Sequence, residues 1–207
     1  MTSKERFLAA LSGRLPDRLP VTTHHVMPYY LDTYMDGKTS DEFFDAFGLD
    51  PITWVIEHKP GNPEKEWYDP AQGQPGFLEG RRILSDNWHI KAKPVAGYEY
   101  ATTRYTFSTP GGQLSMVLQG NKQTVWVYEH LIKNKRDINL IGAYAASIHC
   151  DTDAVNRKAD AYGGRGMVRG HIVTFDVFGQ PGCWQDACCL YGTQNMIMAV
   201  FDDPGWV

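Results

Sequence analysis

Three short apolar runs each lead into ionisable side chains. Residues 21–23 end in His24-His25, residues 53–56 end in Glu57-His58, and Met167–Gly170 ends in His171, with Asp176 close behind. If the runs are parallel strands, their C-terminal ends gather these groups in one mouth, where parallel α/β barrels keep their chemistry. A carboxylate that closes an apolar strand is partly desolvated, which suits it to holding or donating a proton near neutrality. Glu57 is therefore the strongest catalytic candidate, the bland alternative being a strand-end carboxylate paired with a lysine such as Lys59. In extended chain successive side chains point in opposite directions, so one of His24 and His25 faces the mouth and the other packs, while His58 turns away from Glu57. His171 and Asp176 are expected to give substrate hydrogen bonds, and Tyr29 is an aromatic candidate for the substrate pocket.

Other chemistry-bearing residues form weaker patterns. Thiolates are good zinc ligands, but Cys183, Cys188 and Cys189 have the spacing of no closed site, and His149-Cys150 is adjacent rather than His-x-Cys. Gly179 and Gly182 lack the lysine and Ser/Thr of a phosphate loop.

The elements that must position these groups are marked by caps and breakers. Thr2-x-x-Glu5 and Thr39-x-x-Glu42 have the form of capping boxes, followed by apolar faces of Phe7, Leu8 and Leu11 and of Phe43, Phe44 and Phe47. Gly13 and Gly48 supply left-handed stops. The run 52–56, rich in β-branched residues, suits a strand covered on both faces. Residues 60–80 are rich in proline, glycine and polar side chains and read as an insertion or lid. Residues 88–93, 98–107 and 113–118 read as an antiparallel excursion with a Thr109-Pro110-Gly111-Gly112 turn. Helices are expected over 137–148, over 152–162 and through Met196 to Phe201, and Asp203-Pro204 has the form of a new helix N-terminus.

Composition narrows the partners. The 207 residues are 43% apolar with a net charge of -4 and no cationic run, which points away from nucleic acid and anionic membrane surfaces. No apolar stretch approaches a membrane span, and the charged N-terminus has no signal-peptide core. A cytoplasmic location is expected, with the four cysteines as thiols.

Lys4-Glu5-Arg6-Phe7-Leu8-Ala9-Ala10-Leu11, followed by Pro16-Asp17-Arg18-Leu19-Pro20-Val21, resembles the opening of the uroporphyrinogen decarboxylase-like superfamily. Phe47-Gly48-Leu49-Asp50, Thr109 to Leu114, Glu129-His130-Leu131-Ile132-Lys133 and the final Asp202 to Val207 extend the likeness. The resemblance implies an α/β fold of (β/α)8 TIM-barrel type, here an incomplete N-terminal part with the antiparallel excursion, over a single domain 1–207 with 60–120 as the lid and hairpin region. Decarboxylases of that superfamily grip substrate carboxylates with arginines after the first strand; this chain has His24 to Tyr30 there and no arginine. A tetra-anionic porphyrinogen would lose its bidentate partners.

The family's catalytic aspartate position, counted from Gly48, falls on Glu57, and the arginine position lies nearest His25. Catalysis is accordingly expected from Glu57 and His25, with His24, His171, Asp176 and Tyr29 on the substrate. The cobalamin-dependent methyltransferase branch fits better than decarboxylation. It implies a zinc ion whose ligands would lie beyond Val207, a corrinoid on a partner protein, and a small methyl donor or thiol acceptor. The alternatives are a uroporphyrinogen decarboxylase and a non-catalytic half barrel that binds a ligand or partner. An unclosed parallel sheet leaves edges uncovered, so a homodimer or a missing C-terminal half is expected to complete it.

Overall fold

The computed structural model describes residues 1–24, 26–55, 57–70, 82–170 and 183–207. Along the chain these form α1 (Ser3–Leu11), α2 (Pro28–Tyr34), α3 (Ser40–Ala46), β1 (Ile52–Val55), β2 (His58–Pro60) and β3 (Glu66–Tyr68). Then come β4 (Ile83–Ser85), β5 (His89–Pro94), β6 (Ala101–Thr109), β7 (Gly112–Gly120), β8 (Val125–Glu129) and α4 (Asp137–Tyr144). The last elements are β9 (Ile148–Cys150), α5 (Thr152–Tyr162), β10 (Met167–Gly170), α6 (Cys183–Tyr191) and α7 (Thr193–Asp202). They fall into two compact units, Met1–Glu57 with Asp151–His171, and His58–Cys150 with Ile172–Val207.

In the first unit both expected capping boxes form. The Thr2 hydroxyl accepts the Glu5 N–H at 3.2 Å and the Glu5 carboxylate accepts the Thr2 N–H at 2.8 Å; Thr39 and Glu42 repeat the exchange at the start of α3. Phe7, Ala9 and Phe44 are the buried faces of α1 and α3. α2 starts on Pro28, a residue pre-set for a first helical turn.

β1 and β10 pair in parallel, from Ile52 opposite Met167 to Val55 opposite Gly170. The pairing is led in by the Met167 N–H on the Pro51 carbonyl at 3.0 Å. Gly166 permits that approach, because a Cβ there would stand 2.1 Å from the Pro51 oxygen.

Asp50, two residues before β1, is fully buried. Its carboxylate accepts from Ser3 Oγ at 2.8 Å, the Val21 N–H at 2.8 Å, Arg18 Nη1 at 2.7 Å and Arg6 Nη1. Arg6, itself buried, also grips Asp17 in a bidentate pair at 2.7 and 2.9 Å. Burial pushes the Asp50 carboxyl up, but the donors from Val21, Ser3, Arg18 and Arg6 outweigh it and hold it below its ordinary value. The Arg6 hydrogen bonds likewise hold the Asp17 carboxyl well below the usual carboxylate range.

In the second unit β5 to β8 form an antiparallel meander in sequence order. Alternation puts Tyr105 and Phe107 of β6 and Leu114, Met116 and Leu118 of β7 on one face, where they pack with Trp88, Leu131, Ile132, Ile141 and Leu190. Burial of side chains this size contributes roughly 1.5–3 kcal/mol each, so this cluster is the core of the unit. Short antiparallel pairs join β2 with β9 and β3 with β4.

The TIM-barrel expectation is overturned. The described residues hold one parallel pair, β1 with β10, while the other eight strands lie in antiparallel sheets, and no closed barrel forms. Residues 21–23 are not a strand: Val21 gives its N–H to the Asp50 side chain and its carbonyl takes the Asp50 N–H at 2.7 Å. Tight turns such as that at 110–111 enforce antiparallel neighbours, since parallel strands need a crossover. The chain is a mixed α/β protein. Two boundaries also differ: α4 stops at Tyr144, Ile148 being drawn into β9, and Asp203 closes α7 rather than opening a helix. None of the described helices is long and apolar enough to cross a membrane.

Two outcomes follow from the first unit. Asp50→Asn removes the buried charge on which Arg6 and Arg18 converge and is expected to cost about 3 kcal/mol in urea unfolding at neutral pH. Because the folded Asp50 carboxyl lies below its unfolded value, its contribution is present above about pH 4 and fades as pH falls further. The wild-type midpoint should therefore drop over that range, with a smaller drop in the variant. Gly166→Ala forces Pro51 aside and is expected to cost about 2 kcal/mol in the same assay.

Candidate functional site

Parallel pairing sets Trp54 of β1 opposite Arg169 of β10. Partners in register share a face of the sheet, and here the guanidinium lies over the indole, 4.0 Å from its centroid. His24 stands edge-on to the same ring, with centroids 5.1 Å apart and planes at 75°. Arg169 Nη1 lies 2.8 Å from His24 Nδ1. Arginine has donors only, so Nδ1 accepts, and His24 in this arrangement is the neutral tautomer with its proton on Nε2. The other N–H groups of Arg169 have no acceptor among the described residues. An arginine fork so held offers paired donors suited to a carboxylate or phosphate, with an aromatic face behind it.

Glu57 follows β1 and is engaged elsewhere. Its carboxylate pairs with the Lys158 ammonium of α5, the Glu57 side chain being 30% exposed, and its carbonyl accepts the Asp151 N–H at 3.0 Å. Beside that pair a hollow of about 350 Å³ lies between β1 and α5, lined by Thr53, Val55, Lys158, Ala161 and Tyr162 among others. Burial, with the Asp41 charge adding, pushes the Tyr162 phenol up to about 12, so it stays protonated at neutral pH. Arg165, paired with Asp45 at 2.9 Å, ties this end of α5 to α3.

The remaining sequence candidates are distributed as follows. His25, His171 and Asp176 lie outside the described residues. Tyr29 is edge-on to Tyr34 within α2, at 6.4 Å. His24 and Glu57 thus have different partners, Arg169 with Trp54 in one case and Lys158 in the other.

Arg169 and Trp54 lie inside their strands, where strand-end chemistry does not point. The available signal was a lone arginine inside an otherwise apolar run, at the position that parallel register sets against a tryptophan.

A zinc ion finds no donor set here: among the described residues no three His, Cys, Asp or Glu side chains are grouped to hold a metal. Cys183 is exposed, while Cys188 and Cys189 are half-buried on α6. Burial pushes the Cys189 thiol up, with Asp186 and Cys188 adding to it, which disfavours the thiolate a metal needs.

The chain matches no family model, no curated protein and no solved structure.

The Glu57–Lys158 pair is open to solvent on the lysine side. Lys158→Ala should therefore change the unfolding free energy by less than about 1 kcal/mol. Thermal and urea denaturation check this.

Proposed function

We propose that the first unit binds a small carboxylated molecule through Arg169, and that the chain acts in methyl transfer between such a molecule and a corrinoid carried by a partner protein. The observation that carries the binding half is the Arg169 guanidinium, held over Trp54 and against His24, its other donors without an acceptor among the described residues. Arg169 would take the carboxylate in a bidentate pair, with Trp54 stacked behind its guanidinium.

The methyl-transfer half rests on the likeness of the 4–21 and 47–50 segments to the uroporphyrinogen decarboxylase-like superfamily. The corrinoid would supply the methyl-carrying centre; no step is assigned to zinc, for which the described residues have no donor set. A cytoplasmic setting belongs to the same proposal.

A second reading, binding without turnover, is favoured by the engagement of Glu57 with Lys158. That pairing leaves the sequence-derived acid hydrogen-bonded to an ammonium.

Calorimetric titration with 4-methoxybenzoate tests the binding half. The wild-type chain should bind it, and Arg169→Gln should weaken binding about tenfold, the loss of one charge-assisted pair. Equal affinity in the two proteins, or none in either, contradicts the assignment. Release of 4-hydroxybenzoate in the presence of reduced cobalamin supports transfer, whereas binding without release supports the second reading. Loss of carbon dioxide from uroporphyrinogen would replace both with decarboxylation.

A further inference from the structure

The second unit holds a larger cavity that the proposed function does not use. It measures about 610 Å³, within the usual range of small-molecule sites. Its floor is Ile132, Leu190 and Met196, all buried. α4 contributes Ile138 and Asn139, and α6 contributes Ala187 and Tyr191.

One wall is Trp206, edge-on to Tyr191 with centroids 5.4 Å apart and carrying the Lys135 ammonium 5.1 Å from its ring centroid. Lys135 is also paired with Asp203 at 2.7 Å, which fixes the ammonium and offsets its charge. Arg136 differs. It lines the same cavity, is exposed, and its guanidinium has no hydrogen-bond or ion-pair partner among the described residues. Among the described residues no carboxylate side chain lines the cavity.

An apolar pocket with an uncompensated guanidinium and an amide at its edge is complementary to a ligand with one anionic head and one apolar body. Cations are disfavoured by Arg136, and a neutral chain would leave that charge unanswered. The geometry points to a second ligand site in the α4–α6–α7 region that takes a medium-chain alkyl carboxylate, its chain over Leu190 and Met196 and its carboxylate on Arg136.

Titration of the full chain with octanoate, octan-1-ol and octyltrimethylammonium, followed by calorimetry, tests this. Octanoate should bind the Arg169→Gln chain, which lacks the first-unit carboxylate partner, with one site per chain, ahead of the alcohol, and the ammonium should not bind. Arg136→Gln removes an exposed side chain without touching the core, and should weaken octanoate about tenfold while leaving the alcohol unchanged. Ala187→Phe, with its helix content checked by circular dichroism, should abolish both. Arg169→Gln should leave the Arg136-dependent affinity for octanoate unchanged and remove any second carboxylate site, which separates this site from that of the first unit. Equal affinity for alcohol and carboxylate, several weak sites in the Arg169→Gln chain, loss of the Arg136-dependent affinity in that chain, or no binding of octanoate each overturns the assignment.

Discussion

A single buried carboxylate organises the first unit. Asp50 gathers side chains from α1 and from the arm that follows it: Ser3, Arg6, Arg18 and the Val21 backbone all donate to its two oxygens. A charge without water is tolerated only when its lone pairs are this fully answered. The consequence is positional. The carboxylate fixes the arm containing Val21 beside the start of β1, and His24, three residues on, is then within reach of Trp54 and Arg169. The cluster is thus assembled from three places in the sequence, with Asp50 as the fastener for one and the β1–β10 pairing for the other two.

Local chemistry made much of the secondary structure legible. Capping boxes at Thr2 and Thr39 marked α1 and α3, and strand alternation marked the meander around Tyr105 and Met116. The β-branched run ending at Val55 and the short run from Met167 are strands, and they pair with each other in parallel. What misled was topology. Residues 21–23 have strand-like composition, yet their backbone is engaged by a side chain rather than a neighbouring strand, and composition alone does not separate those two outcomes. The barrel expectation needed all three runs in one parallel sheet beside the antiparallel excursion; among the described residues only β1 and β10 pair in parallel.

The site was less legible than the fold elements, for a related reason. Glu57 stood out because it closes an apolar run, but its nearest charge is Lys158, far away in sequence and brought close by α5. Arg169 carried no motif; its importance comes from register with Trp54, which exists only once two distant strands pair. Pairwise tertiary contacts of this kind have no spacing rule to betray them. Side chains whose role is set by their immediate neighbours, such as Thr2 with Glu5, were the readable ones.

Asp50 and the β1–β10 register together hold His24, Trp54 and Arg169 as one cluster. Nuclear Overhauser contacts in the isotopically labelled chain test it most directly. Cross-peaks are expected from the Trp54 indole to both the Arg169 side chain and the His24 ring, with the His24 contact weakened when Asp50 is neutralised. A Trp54 ring with neither contact, or a His24 contact that is indifferent to Asp50, would contradict it.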